Sequence, residues 1–259
     1  SEAVAIIILT LSSLVMVRRW EWITRKHFLT LIDLSKQTKK AESLLSRMMP
    51  SEVLPRLQAG DEVADSFDEV TVLFAQVADF SSKSAKFTDS QVVTLLNTIF
   101  LEFDAICVEF GVFKVETISE VYMVASGVPK VRGDHAIAII DFGLKLLNTV
   151  NKYFWPDGAQ VELKVGVHSG PVVAGVIGLK LPRYRLFGDT VNTASRMQST
   201  TDKGSLQASE ATFSRLALLF KYTDRGEIDV KGKGPMRCYF IHIRRNVSSL
   251  NNLGKDADL

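Results

Sequence analysis

Cysteine is scarce in this sequence. The 259 residues carry two, Cys107 and Cys238, which form neither a disulfide framework nor a metal-ligating spacing. Each falls in a segment patterned as helix or strand, so both read as buried thiols in a reducing compartment. The four histidines, His27, His135, His168 and His242, are dispersed, and no zinc site follows from them. A dominant charge is also lacking. With 31 basic and 29 acidic residues the net charge is +2, which implies no nucleic-acid partner. What is plentiful is apolar material: 46% of the chain is hydrophobic, ample for the core of one catalytic-size domain with extra segments.

Residues 3–17 carry no charge. As a helix they span only about 22 Å, short of the roughly 30 Å hydrocarbon core of a bilayer. Arg18, Arg19, Trp20, Trp22, Arg25 and Lys26 follow at once, an aromatic belt and a basic flank on one side. A signal peptide would carry its basic residues before the apolar run and a small-residue cleavage site after it. The pattern fits the last part of a transmembrane helix, with everything after it cytoplasmic. A buried core helix is the alternative. Leu31, Leu34, Thr38, Ala41, Leu45 and Met48 then alternate by three and four, the spacing of a short coiled-coil seam with a weak middle. Pro50 stops the helix.

Beyond Pro50 the pattern predicts a linker over 51–68 and a β-branched strand from Val70 to Val77. Thr88 and Gln91 form a capping-box pattern that opens a helix to about Phe110. A hairpin-like pair of strands spans 112–116 and 121–125. A helix over 133–154 comes next, then strands over 161–168 and 172–178 parted by Gly170-Pro171. A short helix near 209–218 and strands near 226–231 and 237–243 finish the domain. Interleaved helices and strands with short connections suit an α/β or α+β sandwich with helices packed on a sheet.

The chain is organised around residues 183–197, Arg-Tyr-Arg-Leu-Phe-Gly-Asp-Thr-Val-Asn-Thr-Ala-Ser-Arg-Met. Physically this is a strand end, a turn at Gly188, and a helix near 189–199 whose free N–H groups Asp189 or Thr190 can cap. Asn192 and Arg196 are four residues apart, so a helix presents them on one face. A neutral amide and a fixed guanidinium suit a ribose and a phosphate. The plainer alternative is an ordinary amphipathic helix with two exposed polar residues.

The words Phe-Gly-Asp-Thr-Val-Asn-Thr-Ala-Ser-Arg-Met resemble the signature of class III nucleotide cyclases, and of guanylyl cyclases in particular. The resemblance runs over residues 68 to 245 and implies a ferredoxin-like βαββαβ core. Together with the readings above, this divides the chain into the end of a transmembrane helix (1–17), a juxtamembrane signalling helix or coiled coil (18–50), a linker (51–68), a catalytic domain (69–245), which is the part the resemblance covers, and a disordered tail (246–259). The family's reaction is attack of the ribose 3′-oxygen on the α-phosphate with loss of pyrophosphate. Its active site lies between two subunits. One gives the carboxylates for two divalent ions, Mg or Mn; the other gives base recognition, the helix Asn and Arg, and a lysine for the phosphates.

By this resemblance the metal half is damaged. Similar guanylyl cyclases read Phe-Ser-Asp-Ile-Val-Gly-Phe where this chain has Phe74-Ala75-Gln76-Val77-Ala78-Asp79-Phe80, so Gln76 stands for the first metal aspartate and Asp79 for a glycine. The second aspartate, in Thr-Ile-Gly-Asp, is Glu120 in Thr117-Ile118-Ser119-Glu120. An amide is a poorer magnesium ligand than a carboxylate, and an octahedral ion is strict about distance. The other half is mostly kept. Glu116 stands at the base-reading position, Arg185 at a second base-reading position, Asn192 and Arg196 on the helix, and Lys231 at the phosphate lysine. Arginine only donates, which suits guanine O6 and not adenine N6. A solvated basic turn is the plainer alternative for Lys231 and Lys233.

This asymmetry implies a subunit of a dimeric membrane guanylyl cyclase that converts GTP to cyclic GMP. A heterodimer is favoured over a homodimer, with the metal ions held mainly by the partner, a pattern similar to the β subunit of soluble guanylyl cyclase. The layout is similar to rhodopsin–guanylyl cyclase fusions of chytrid fungi. Two alternatives stand beside it. One is a catalytically inactive pseudocyclase acting as a regulatory or dimerisation module. The other is an active homodimer using Asp79 and Glu120 for metal.

Overall fold

A computed structural model describes residues 2–178, 182–216 and 219–244. The chain forms two compact units, one through Gly60 and the other from Asp61. The expected tail over 246–259 lies outside the described residues.

The first unit is helical. Helix α1, Glu2–Met48, is continuous, as expected of a stretch with no glycine or proline. A short α2, Leu54–Ala59, follows within the expected linker, with Pro55 in its first turn and Gly60 in the left-handed region at its end. Along the apolar run Ile6, Leu9, Leu11, Leu14, Val15, Met16 and Val17 are exposed around the helix, as is Trp20 at 74%. On the expected seam Leu31 and Leu34 are exposed, and Thr38 Oγ1 donates back to the Leu34 carbonyl at 2.9 Å. The side chains of Ala41, Leu45 and Met48 lie outside the described ones.

The second unit is built on strands β1 (Ala64–Val77), β2 (Phe113–Ile118), β3 (Val121–Ser126), β4 (Leu163–Ile177), β5 (Arg183–Phe187), β6 (Ser205–Ser209), β7 (Phe220–Val230) and β8 (Gly234–Arg244). Its helices are α3 (Phe80–Ser84), α4 (Asp89–Phe110), α5 (His135–Val150), α6 (Asp189–Thr200) and α7 (Glu210–Phe213). The sheet order is β2-β3-β1-β4-β6-β8-β7, with β5 folded onto β4. The succession β1-α4-β2-β3-α5-β4, with its strands ordered β2-β3-β1-β4, is the ferredoxin-like core. The Thr88 capping box forms in full and opens α4.

Three points differ from the expectations, the first being that β1 begins at Ala64, inside the expected linker and ahead of the expected strand start at Val70. The strands over 161–168 and 172–178 are one strand, β4. Pro171 has no N–H to give, but the register of β1 shifts between Phe67 and Val70 opposite it, so the ladder passes the proline at a bulge. The five-residue β6, parallel to β4, carries no alternation strong enough to mark it in the sequence.

Period two along β1 and β4 sorts the side chains onto two faces. Leu73, Ala75, Val77, Val165 and Val167 join Ile99 and Phe103 of α4 and Ile139, Ile140, Phe142 and Leu146 of α5 in the main core. Among the described residues α4 is the one helix long and apolar enough to cross a membrane by length and composition. Its Val92, Ile99, Phe103, Ile106 and Cys107 are buried, so it is a core helix. Both thiols are buried, and burial pushes each up to about 11. The opposite face of β1 and β4 receives α6.

A ladder of hydroxyls stitches these layers. Thr71 Oγ1 meets His135 Nδ1 and Ser169 Oγ, each at 2.7 Å. Ser169 Oγ donates to Thr212 Oγ1 at 3.0 Å, and Ser209 Oγ meets His168 Nδ1 at 2.7 Å. Burial drives His168 down to about 4. The unfolded chain takes up this proton near 6.5, the folded chain only near 4, so the stability is fully present above pH 6.5 and is lost as pH falls toward 4. In urea unfolding the His168 contribution is expected to be about 2 kcal/mol lower at pH 5 than at pH 7.5, and His168→Gln to flatten that slope.

Candidate active site

Helix α6 carries the residues singled out by sequence. Its buried face is Thr190, Thr193, Ala194, Met197 and Gln198; Asn192 and Arg196 are exposed, one turn apart. Its start differs from expectation. The N-cap is Gly188 at φ 133°, with no side-chain cap, a conformation that glycine adopts freely. Thr190 Oγ1 instead donates to the Pro171 carbonyl at 2.6 Å, tying α6 to β4. Asp189 pairs with Lys233, which fixes the β7–β8 turn against the start of α6. The exposed Lys231 sits in that turn, two residues away.

Glu116 is re-aimed by a bulge between Lys114 and Glu116. Its Oε2 accepts from Arg185 Nη2 at 2.9 Å, so β2 and β5 bring the two base-reading candidates together. Edge-to-face packing of Phe113 and Tyr184, with centroids 5.7 Å apart, holds the same two strands.

The other end of α6 meets the expected metal positions. Gln76, near the end of β1, donates through Nε2 to Glu120 Oε1 at 2.9 Å. Its Oε1 accepts from Gln198 Nε2 at 2.7 Å. Burial pushes the Glu120 carboxyl up, but hydrogen bonds from the Ser119 hydroxyl and the Gln76 amide outweigh it and hold the group below the ordinary carboxylate range. Asp79 is ion-paired with Lys203. The turns carrying these side chains are left-handed at Asp79 and Ser119, both at φ 54°. Non-glycine residues there store strain of about 1–2 kcal/mol each.

These residues do not fit a pair of divalent ions. The amide nitrogen of Gln76 faces Glu120 where a cation would have to sit, and the amide oxygen is already engaged. Asp79 would have to give up Lys203 to join Glu120. Among the described residues no group of three or more His, Cys, Asp or Glu side chains could hold a metal. Sequence reasoning missed Gln198 and Lys203. The signal for Gln198 was present: it follows Ala194 by four on the apolar face of α6, and a glutamine on a buried face demands a partner.

The cluster's relatives are cyclases. Residues 62–243 match the adenylate and guanylate cyclase catalytic domain. Human atrial natriuretic peptide receptor 2 is 46% identical over 213 residues, 80% of this chain and 20% of the receptor. The chain spans about a fifth of the length of the curated receptors it matches. The guanylate cyclase domain of RhGC from Catenaria anguillulae, solved with GTP, superposes with a TM-score of 0.68 at 36% identity, covering 70% of this chain and all of that one. A dimeric guanylyl cyclase domain of the RhoGC fusion protein from the aquatic fungus Blastocladiella emersonii superposes at 0.65 with 34% identity, covering 70% of this chain and 99% of that one. With the matched segment spanning β1 to β8 and including the α6 cluster, the chain belongs to the adenylate and guanylate cyclase catalytic domain family.

Proposed function

We propose that this domain is one half of a guanylyl cyclase site, converting GTP to cyclic GMP and pyrophosphate together with a second subunit that brings the metal-binding carboxylates. The observation that carries this reading is the Gln198–Gln76–Glu120 chain of amide hydrogen bonds, set against the exposed Asn192 and Arg196 on the same helix. An amide takes the place of a metal ligand while the phosphate-facing groups stand ready. In this reading the partner's carboxylates would hold the Mg or Mn ions, whose charge would offset that of the phosphates. In this reading Glu116 accepts from guanine N1–H and N2–H, and Arg185 offers only donors toward O6. Asn192 orients the ribose. Arg196 stabilises charge that grows on the α-phosphate in the transition state, and Lys231 holds the terminal phosphates.

Helix α1 supports a membrane attachment. Apolar side chains exposed all around a helix suit lipid and not water, and the basic flank after residue 17 orients the catalytic domain to the cytoplasm. The helix beyond it would carry the signal from an upstream sensor, as in a rhodopsin-fused cyclase.

The test is cyclic GMP formation from GTP with magnesium or manganese, comparing the chain alone with the chain mixed with a metal-competent cyclase subunit. The reading expects activity beyond that of the partner in the mixture and none from the chain alone. Activity of the chain alone would mean that Asp79 and Glu120 do serve a metal. No gain in the mixture would mean a pseudocyclase.

A further inference from the structure

The contact between Arg185 and Glu116 has a chemistry that the functional reading leaves unused. A guanidinium presents a planar fork of N–H donors matched to a carboxylate. The N1–H and N2–H edge of guanine presents the same kind of fork. The base-reading carboxylate is therefore already engaged by a side chain that imitates the base. The engagement is partial: one Arg185 N–H reaches Glu116 Oε2 at 2.9 Å, with Arg185 43% and Glu116 21% exposed. Both residues sit on strands fixed by the Phe113–Tyr184 contact, so the pair is set by the fold.

Resting on the cyclase reading above, we propose that Arg185 is a specificity-determining residue acting as an internal competitor for Glu116, so that guanine docks by exchange with the guanidinium. A base whose edge lacks two adjacent donors, such as adenine with its N6 donor beside the N1 acceptor, cannot reproduce the fork and displaces the guanidinium poorly. The exchange gives up a charge–charge contact, and the freed guanidinium regains at most a charge–neutral one at O6. The arginine thus lowers affinity for guanine nucleotides while guarding the carboxylate against other bases.

The experiment is equilibrium binding of 3′-deoxy-GTP and 3′-deoxy-ATP, which cannot cyclise, to the full chain assembled with a metal-competent subunit. Arg185→Ala is expected to tighten 3′-deoxy-GTP by about two- to fivefold, the range for a half-exposed ion pair. 3′-deoxy-ATP, which no longer meets the guanidinium, should gain at least as much, so the preference for the guanine nucleotide narrows; a preference that stays unchanged or widens would overturn the specificity role. In a Glu116→Gln background the same change should have no effect on 3′-deoxy-GTP. Unchanged or weaker 3′-deoxy-GTP binding by Arg185→Ala would overturn the proposal and leave the cyclase reading intact. An equal gain in the Glu116→Gln background would do the same. Absence of nucleotide binding at this site in every variant would instead overturn the cyclase reading, and this inference with it.

Discussion

Replacing Arg196 with alanine is expected to lower cyclic GMP formation by the mixed dimer by about 10²–10³-fold, the usual loss when one donor aimed at transition-state charge is removed. Arg196 is exposed on α6. The buried face of the helix is carried by Thr190, Thr193, Ala194, Met197 and Gln198, which the change does not touch. The melting temperature should therefore stay put, since exposed substitutions shift stability by less than about 0.5 kcal/mol. KM should move far less than kcat, because in the proposed role the guanidinium acts on charge that the ground state has not yet developed. A parallel rise in KM with kcat unchanged would mean that Arg196 only binds phosphate.

Gly166→Ala is expected to damage stability and activity together. A Cβ at Gly166 would lie 1.9 Å from the Gln198 nitrogen, 2.3 Å from its Cα and 2.4 Å from the Met197 carbonyl carbon. Those are backbone atoms of α6, and no side-chain rotation can relieve them. The helix must lift from β4. Overpacking of this kind costs about 1–3 kcal/mol and sometimes more. Lifting α6 also carries Asn192, Arg196 and Gln198 with it. A displacement near 1 Å is enough to cost about 10²-fold in turnover. Urea unfolding and a cyclase assay on the same preparation check both. A stable Gly166→Ala variant with normal turnover would show that α6 need not sit where β4 places it.

The sequence displayed the skeleton of the site better than its wiring. Thr88 and Gln91 announced the start of α4, and the four-residue spacing of Asn192 and Arg196 announced their shared face, because both depend on local periodicity alone. That an amide, Gln76, stands where the resemblance implies a carboxylate was legible. What Gln76 does instead was not. Its partners Glu120 and Gln198 lie far along the chain, and only the register of β1 against its neighbours and the seat of α6 on β4 bring them together. The same holds for Lys203 with Asp79 and Arg185 with Glu116. Pro171 misled for a related reason. It looked like a break, yet the bulge opposite it in β1 lets β4 continue. Thr190 and Asp189 were expected to cap α6 but are drawn off by Pro171 and Lys233.

The central claim is that this chain gives one half of a shared site and lacks the other. A complementation assay tests it most directly. The partner is a metal-competent cyclase subunit whose own counterpart of Arg196 has been replaced by alanine. That subunit is then impaired by itself through its missing guanidinium, and on the proposed reading this chain is impaired by itself through Gln76. The account predicts that mixing the two restores cyclic GMP formation well above the sum of the separate rates. Rates that merely add, with the two chains shown to associate, would contradict it.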